Sequence, residues 1–235
     1  GVILYDETIK QTSSLKKTIP ELISDSGAIP GIKVDTGAKK QAQLNNETIT
    51  EGLDGLSERL KTYYDLGARF TKWRGVFKIS IKNNLPSSES IKSNAHALGR
   101  YSALVQEANM VPIVEPEVLM EGNHDIKTCY QVTKIVLQET FNQLSNNNIN
   151  IKGIILKPNM ILNGAESGIK NETKQVAEMT LNCLKENVPK DVPGIAFLSG
   201  GQTELEATKN LNEINKINNS NFIMSFSYGR ALQQS

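Results

Sequence analysis

MVPIVEPEV, Met110 to Val118, reads as a β-strand whose apolar run is broken late and twice, by Glu115 and Glu117. Side chains along a strand alternate between faces, so the two carboxylates share one face. Three other apolar runs show the same habit. IPGIKVD, Ile29 to Asp35, carries Lys33 and Asp35 on one face near its end. ARFTKWR, Ala68 to Arg74, carries Lys72 and Arg74 likewise. IKGIILKP, Ile151 to Pro158, ends with Lys157 on the face of Gly153 and Ile155. The C-terminal ends of parallel barrel strands are where active sites are built. A single late lysine is usually the exit of a strand into solvent. Four strands that all end this way bring cations and carboxylates together, and such groups are costly unless paired or used.

Three more strands complete the pattern: GVIL (Gly1 to Leu4), GIAFLSGG (Gly194 to Gly201) and FIMSFSYG (Phe222 to Gly229). Apolar residues at helical spacing lie between most of them. These are Leu53, Leu56, Leu60 and Tyr63; then Ile91, Ala95, Leu98, Ser102 and Val105; then Val132, Val136 and Thr140; then Val176, Met179 and Cys183. A last helix, about Glu204 to Asn215, turns Leu205, Leu211 and Ile214 inward, with Thr203 and Glu206 as a capping box. The asparagine-rich stretches at 45–46, 83–84, 146–148 and 218–219 read as solvated turns between these elements. Alternating strands and helices imply a parallel sheet. The expected architecture is an α/β TIM (β/α)8 barrel in which residues 1–235 form one domain. Seven strands are recognisable and the first begins at Gly1, so the first barrel strand is expected upstream.

Composition sets limits on partners. Among 235 residues, 26 Lys and Arg balance 25 Asp and Glu, which provides no basic stripe for nucleic acid and no polybasic anchor. No apolar run reaches membrane-spanning length, so no membrane insertion is expected. Cys129 and Cys183 fall in helical stretches and read as buried free thiols, in keeping with a cytoplasmic protein. His96 and His124 are the only histidines. No HxH, HExxH or cysteine cluster accompanies them, so neither a metal nor a cofactor is expected. His96 reads as a helix-surface or packing residue, and His124 as a residue that helps start the next helix.

A lysine becomes a nucleophile when its neutral form is populated, which burial and nearby cations favour. Lys157 has Lys72 and Arg74 as expected neighbours, and Glu115 is suited to the proton transfers of imine chemistry. Ser199-Gly200-Gly201 ends one strand and opens a helix, where backbone N–H groups can meet an anion. Ser227, Gly229 and Arg230 follow the next strand, and an arginine can fork onto a phosphate. Neither a P-loop nor a dinucleotide fingerprint is present. Trp73, of opposite parity to Lys72, should face the helical layer, and Phe70 should face inward.

GLDGLSER (52–59), KWR (72–74), PIVEPE (112–117), LKPNM (156–160), FLSGGQ (197–202) and FSYGRALQ (226–233) resemble class I fructose-bisphosphate aldolase in order and spacing, along the whole chain. Related Schiff-base barrels such as transaldolase do not share the set. The resemblance implies reversible cleavage of fructose 1,6-bisphosphate to dihydroxyacetone phosphate and glyceraldehyde 3-phosphate. It implies that Lys157 forms the imine, that Glu115 is acid and base, and that Glu117 holds the charge network. Lys72 and Arg74 would neutralise the intermediate, Lys33 would add to the electrostatics, and Ser199, Gly200 and Arg230 would hold phosphate. It further implies a homotetramer, cytoskeletal partners alongside a role in glycolysis, and segments beyond both ends of this sequence. Those segments carry a first-strand aspartate and a mobile tail ending in tyrosine, so the isolated piece is expected to be inactive.

Overall fold

The computed structural model describes residues 1–14 and 16–229. In chain order its strands and helices are β1 (Val2–Leu4), α1 (Asp6–Ile9), α2 (Ile19–Asp25), β2 (Pro30–Lys33), β3 (Gly37–Lys40), β4 (Thr48–Glu51), α3 (Leu56–Asp65), β5 (Phe70–Phe77), α4 (Ser88–Glu107), β6 (Val111–Val118), α5 (Ile126–Asn146), β7 (Ile155–Leu156), α6 (Thr173–Asn187), β8 (Gly194–Phe197), α7 (Glu204–Ile217) and β9 (Ile223–Phe226). Strict alternation of strand and helix sets in from α3 onward. Seven of these strands form one sheet in the order β1-β2-β5-β6-β7-β8-β9, every neighbour parallel. Sequential order with parallel pairing is what repeated βα units produce. The seven strands expected from the sequence are these seven.

Packing between strands and helices follows the predicted parities. Trp73 is fully buried against Tyr101 of α4, ring centroids 5.5 Å apart. The Tyr101 hydroxyl meets Thr71 Oγ1 at 2.6 Å and donates to the carbonyl of Ile113, so one helix residue clasps β5 and β6. Phe70 points the other way, over Gly31 of β2, where a β-carbon would lie 2.3 Å from its ring. Cys129 and Cys183 are buried free thiols. The Thr203–Glu206 capping box is formed in both directions.

Four details differ from expectation. Ile151–Gly153 is a 3-10 turn rather than strand, because Asn150 accepts from the Lys152 amide and starts a turn there. Leu205 is exposed, whereas Ala207, Asn210 and Ile214 are buried. Nine residues at about 100° each put Leu205 opposite Ile214 on the helix. His124 does not start α5. Asp125 caps it by accepting from the Thr128 amide, and His124 is buried beneath. Finally, β3 and β4 form an antiparallel hairpin between β2 and α3 that the apolar pattern did not reveal.

That hairpin is tied to the barrel wall by polar contacts. Asn94 of α4 accepts from the Thr50 amide and donates to the Thr48 carbonyl. Thr50 Oγ1 donates to the Arg74 carbonyl at 2.7 Å. Buried Glu47 accepts from both the amide and the hydroxyl of Ser87, the N-cap of α4.

Candidate active site

β5 and β6 pair through eight residues, from Phe70 opposite Val111 to Phe77 opposite Val118. This register sets Arg74 directly across from Glu115. Beyond β6, the β7 ladder is short, and Lys157 follows it with its amide donating to the Val114 carbonyl at 2.8 Å. Lys157 is thereby held beside β6 even though its strand has ended.

Alternating charges run across the strand ends. Lys33 Nζ lies 2.5 Å from Asp35 Oδ1 and also donates to the Asp35 carbonyl. Asp35 Oδ2 is 4.0 Å from Lys72 Nζ. Lys72 Nζ is 3.0 Å from Glu115 Oε2, and Lys157 Nζ is 3.0 Å from Glu115 Oε1. Arg74 Nε donates to Glu117 Oε2. Both Glu115 contacts, with Lys72 and with Lys157, are ion pairs by distance without hydrogen-bond alignment. Lys72, Glu115, Glu117, Asp35 and Lys157 are all buried. Buried charges persist only when compensated, and here each carboxylate touches at least one cation. Four cations face three carboxylates, a balance that favours an anionic ligand. Burial opposes the charge on Arg74, but the Glu117 carboxylate beside it, with Glu115 and Asp35 farther off, raises its pKa overall.

Lys157, Glu115, Glu117 and Arg74 open onto a cleft of about 600 Å³ whose other wall is Leu198–Thr203, with Ser227 and Gly229. Gly201 has φ +76, and a β-carbon there would lie 2.5 Å from Met120 Cβ. Glycine is needed for both reasons. At Gly200 a β-carbon would approach Glu117 Oε1 to 2.9 Å, so the backbone of this turn comes close to the charge network only because the residue is glycine. The turn leads into α7, and Thr203 and Glu204 at its start line the same cleft. The geometry therefore joins a buried lysine with its carboxylate partner to a backbone-lined anion corner. Among the described residues no group of His, Cys, Asp or Glu could hold a metal ion.

The sequence model for class I fructose-bisphosphate aldolase matches residues 1–235. The chain belongs to that family. A probable class 1 aldolase of Xanthomonas campestris pv. campestris is 50% identical over 234 residues, which are 100% of this chain and 70% of that one. The fructose-bisphosphate aldolase of Dictyostelium discoideum is 47% identical over 235 residues, 100% of this chain and 66% of that one. The aldolase of Plasmodium falciparum, solved in a ternary complex with TRAP and a small-molecule inhibitor, superposes with a TM-score of 0.96 at 44% identity. It covers 99% of this chain and 67% of that chain. The seven-stranded sheet is accordingly wall of an aldolase barrel.

Within this aldolase chain, the residues singled out by sequence fall into two groups. Lys157, Glu115, Glu117, Arg74, Ser199, Gly200, Ser227 and Gly229 line one cleft, and Lys72 joins them through Glu115. Lys33 lies one step away. Among the described residues it reaches the cluster only through Asp35, and it lines a separate, larger cleft of about 980 Å³ with Arg59 and Tyr63. Arg230 lies outside the described residues. Asp35 was not singled out as a site residue, although its place two residues after Lys33 on the same face was the available signal. It bonds Lys33 and the amides of Gly37 and Arg74, and so joins β2 to β5. The aldolase motif at Gly52–Arg59 is structural. Arg59 donates to the carbonyls of Val34 and Gly52, and seats α3 on the end of β2.

His96 is exposed on α4, with Nδ1 3.3 Å from Gln143 Oε1. Among the described residues His124 has no hydrogen-bond partner at either ring nitrogen. Burial pushes its pKa down, and Asp125 partly opposes this. Neither histidine lines the Lys157 cleft.

Proposed function

We propose that Lys157 attacks the C2 carbonyl of fructose 1,6-bisphosphate and that Glu115 manages the protons of that step. The observation that carries this reading is the 3.0 Å contact between Lys157 Nζ and Glu115 Oε1 in a buried setting, with Lys72 on the other carboxylate oxygen. A carboxyl at hydrogen-bond range can take a proton from the lysine ammonium and return it to the carbinolamine hydroxyl, which leaves as water. The product is an iminium. Its positive nitrogen draws the C3–C4 bonding pair as that bond breaks, and the C4 hydroxyl proton passes to the carboxylate that gave up its own to the departing water, so that glyceraldehyde 3-phosphate leaves as an aldehyde. The enamine left behind is protonated at C3, and water hydrolyses the imine to release dihydroxyacetone phosphate and regenerate Lys157. No metal or cofactor enters the scheme.

Lys72 and Arg74 neutralise charge on the bound intermediate, Glu117 orients Arg74, and Lys33 acts at longer range through Asp35. Ser199, Gly200, Ser227, Gly229 and Arg230 form the phosphate side. Residues 1–235 act as one barrel domain. A homotetramer, cytoskeletal partners and a cytoplasmic location belong to the same proposal. Support for the location comes from cytosolic relatives such as fructose-bisphosphate aldolase 4 of Arabidopsis thaliana, 48% identical over 236 residues.

The test is to add dihydroxyacetone phosphate to the folded full-length protein, reduce with borohydride, and locate the adduct by peptide mass spectrometry. Lys157 should carry it, and Lys157→Met should abolish it. An adduct on another lysine, or none in the folded protein, sinks the assignment.

A further inference from the structure

We infer that Asn159 is a positioning residue for the Lys157–Glu115 pair, because its side chain takes over where the β6–β7 backbone ladder stops. The inference rests on the reading of Lys157 as the imine-forming lysine. β6 continues to Val118, but β7 pairs with it only through Ile155 and Leu156. The last backbone bond between them runs from the Lys157 amide to the Val114 carbonyl. Pro158 comes next and has no N–H to offer. Its carbonyl instead accepts from Leu198, on the side of β8.

This leaves the end of β6 without a backbone partner on its β7 side. The Leu119 amide faces β5, where it bonds the Phe77 carbonyl, so the Val118 amide faces the other way. Asn159 Oδ1 accepts that amide at 3.0 Å. Asn159 Nδ2 donates to Thr133 Oγ1 of α5 and to the Met160 carbonyl, both at 3.1 Å. The side chain is 1% exposed, and its acceptor and both donors are engaged. Among the described residues, the next hydrogen bonds tying this segment to the chain after β6 come four and five residues on, where Asn163 Oδ1 accepts from the Ile126 amide and the Gly164 amide donates to the His124 carbonyl.

The two ends of this link lie beside the chemistry. Val118 follows Glu117 directly and lies three residues past Glu115, and Asn159 lies two residues past Lys157. The relative height of the two strand ends sets the ammonium–carboxylate separation, and Asn159 is the first contact that holds that height beyond Lys157. Misplacement of reacting groups by about 1 Å can cost on the order of 100-fold in rate.

The experiment uses the full-length protein with Asn159→Ala, Asn159→Asp and Thr133→Val, each first shown to be folded by circular dichroism at the assay temperature. Three quantities are read for fructose 1,6-bisphosphate cleavage: KM, kcat, and the single-turnover rate of borohydride-trapped adduct on Lys157. The expected result is KM unchanged within about two-fold, with kcat and adduct formation reduced together by about 10- to 100-fold in Asn159→Ala. Asn159→Asp keeps the acceptor for Val118 and should lose less. Thr133→Val removes one anchor of Nδ2 and should move the same two rates in the same direction. A lower melting temperature with wild-type kcat in the folded variants overturns the inference. If neither Asn159 variant folds, Thr133→Val decides it, and a wild-type adduct rate there also overturns it. Failure of the wild type to label Lys157 removes the Schiff-base reading and this inference together, an outcome distinct from wild-type labelling with unaffected variants.

Discussion

Lys157 Nζ lies 3.0 Å from Glu115 Oε1, although the two residues come from different strands and Lys157 stands just beyond the end of its own. This contact is supported by one neighbour and by the ladder that carries it. Lys72 holds the second Glu115 oxygen, and the long β5–β6 ladder holds Lys72 beside Glu115.

Glu115→Gln keeps the size of the side chain and removes the charge between two lysines. Turnover of fructose 1,6-bisphosphate should fall by about 10²- to 10⁴-fold, the usual weight of a general acid–base group. Buried Lys157 would lose its counter-ion, while Lys72 would keep only Asp35 at 4.0 Å, and loss of one partner of a buried pair typically costs roughly 3–5 kcal/mol. Steady-state kinetics and urea melts check both. A variant with wild-type turnover would remove Glu115 from the chemistry.

Gly201→Ala should weaken the anion corner without touching Lys157. A left-handed alanine costs about 1–3 kcal/mol, and the new methyl would press on Met120. The turn should shift, so KM for the bisphosphate should rise more than kcat falls. Equal binding in the variant would show that this turn does not hold the phosphate.

His124 couples stability to pH. Its folded pKa is lowered by burial, so the unfolded chain binds the proton more readily. The contribution is fully present above the unfolded value of about 6.5 and is lost as pH falls below it toward the folded pKa. The melting temperature should therefore drop more steeply from pH 7 to pH 5 in the wild type than in His124→Gln. Parallel curves for the two proteins would count against the orphaned imidazole.

Burial pushes the Cys129 thiol up to about 11 and the Cys183 thiol up to about 12. Thiolate is the reactive form, so neither should react with iodoacetamide at pH 8 in the folded protein. Both should react once urea unfolds the chain. Labelling of either without denaturant would mean that the α5–α6 layer opens.

Much of the fold was legible because burial imposes two simple periods, two for strands and 3.6 for helices. All seven sheet strands, the inward and outward parities of Lys72 and Trp73, and the Thr203–Glu206 cap follow from such local patterns. The same parity placed Glu115, Glu117, Arg74 and Lys157 toward one end of the barrel. Where local chemistry competed, the periodic reading failed. Asn150 turned the start of one predicted strand into a 3-10 turn, and the β3–β4 hairpin, with few buried apolar side chains, left no periodic mark.

Sequence by itself determined which side chains face inward, because the alternation of faces is a property of the extended chain and needs no partner. It also determined the family, through motifs whose order and spacing survive without coordinates. Tertiary structure alone decided who touches whom. That Glu115 bridges Lys72 and Lys157, that Lys33 reaches the cluster through Asp35, and that Asn159 completes the end of β6 all depend on the register between strands far apart in the chain. Register is set by the summed packing and hydrogen bonding of whole elements, so no single motif encodes it.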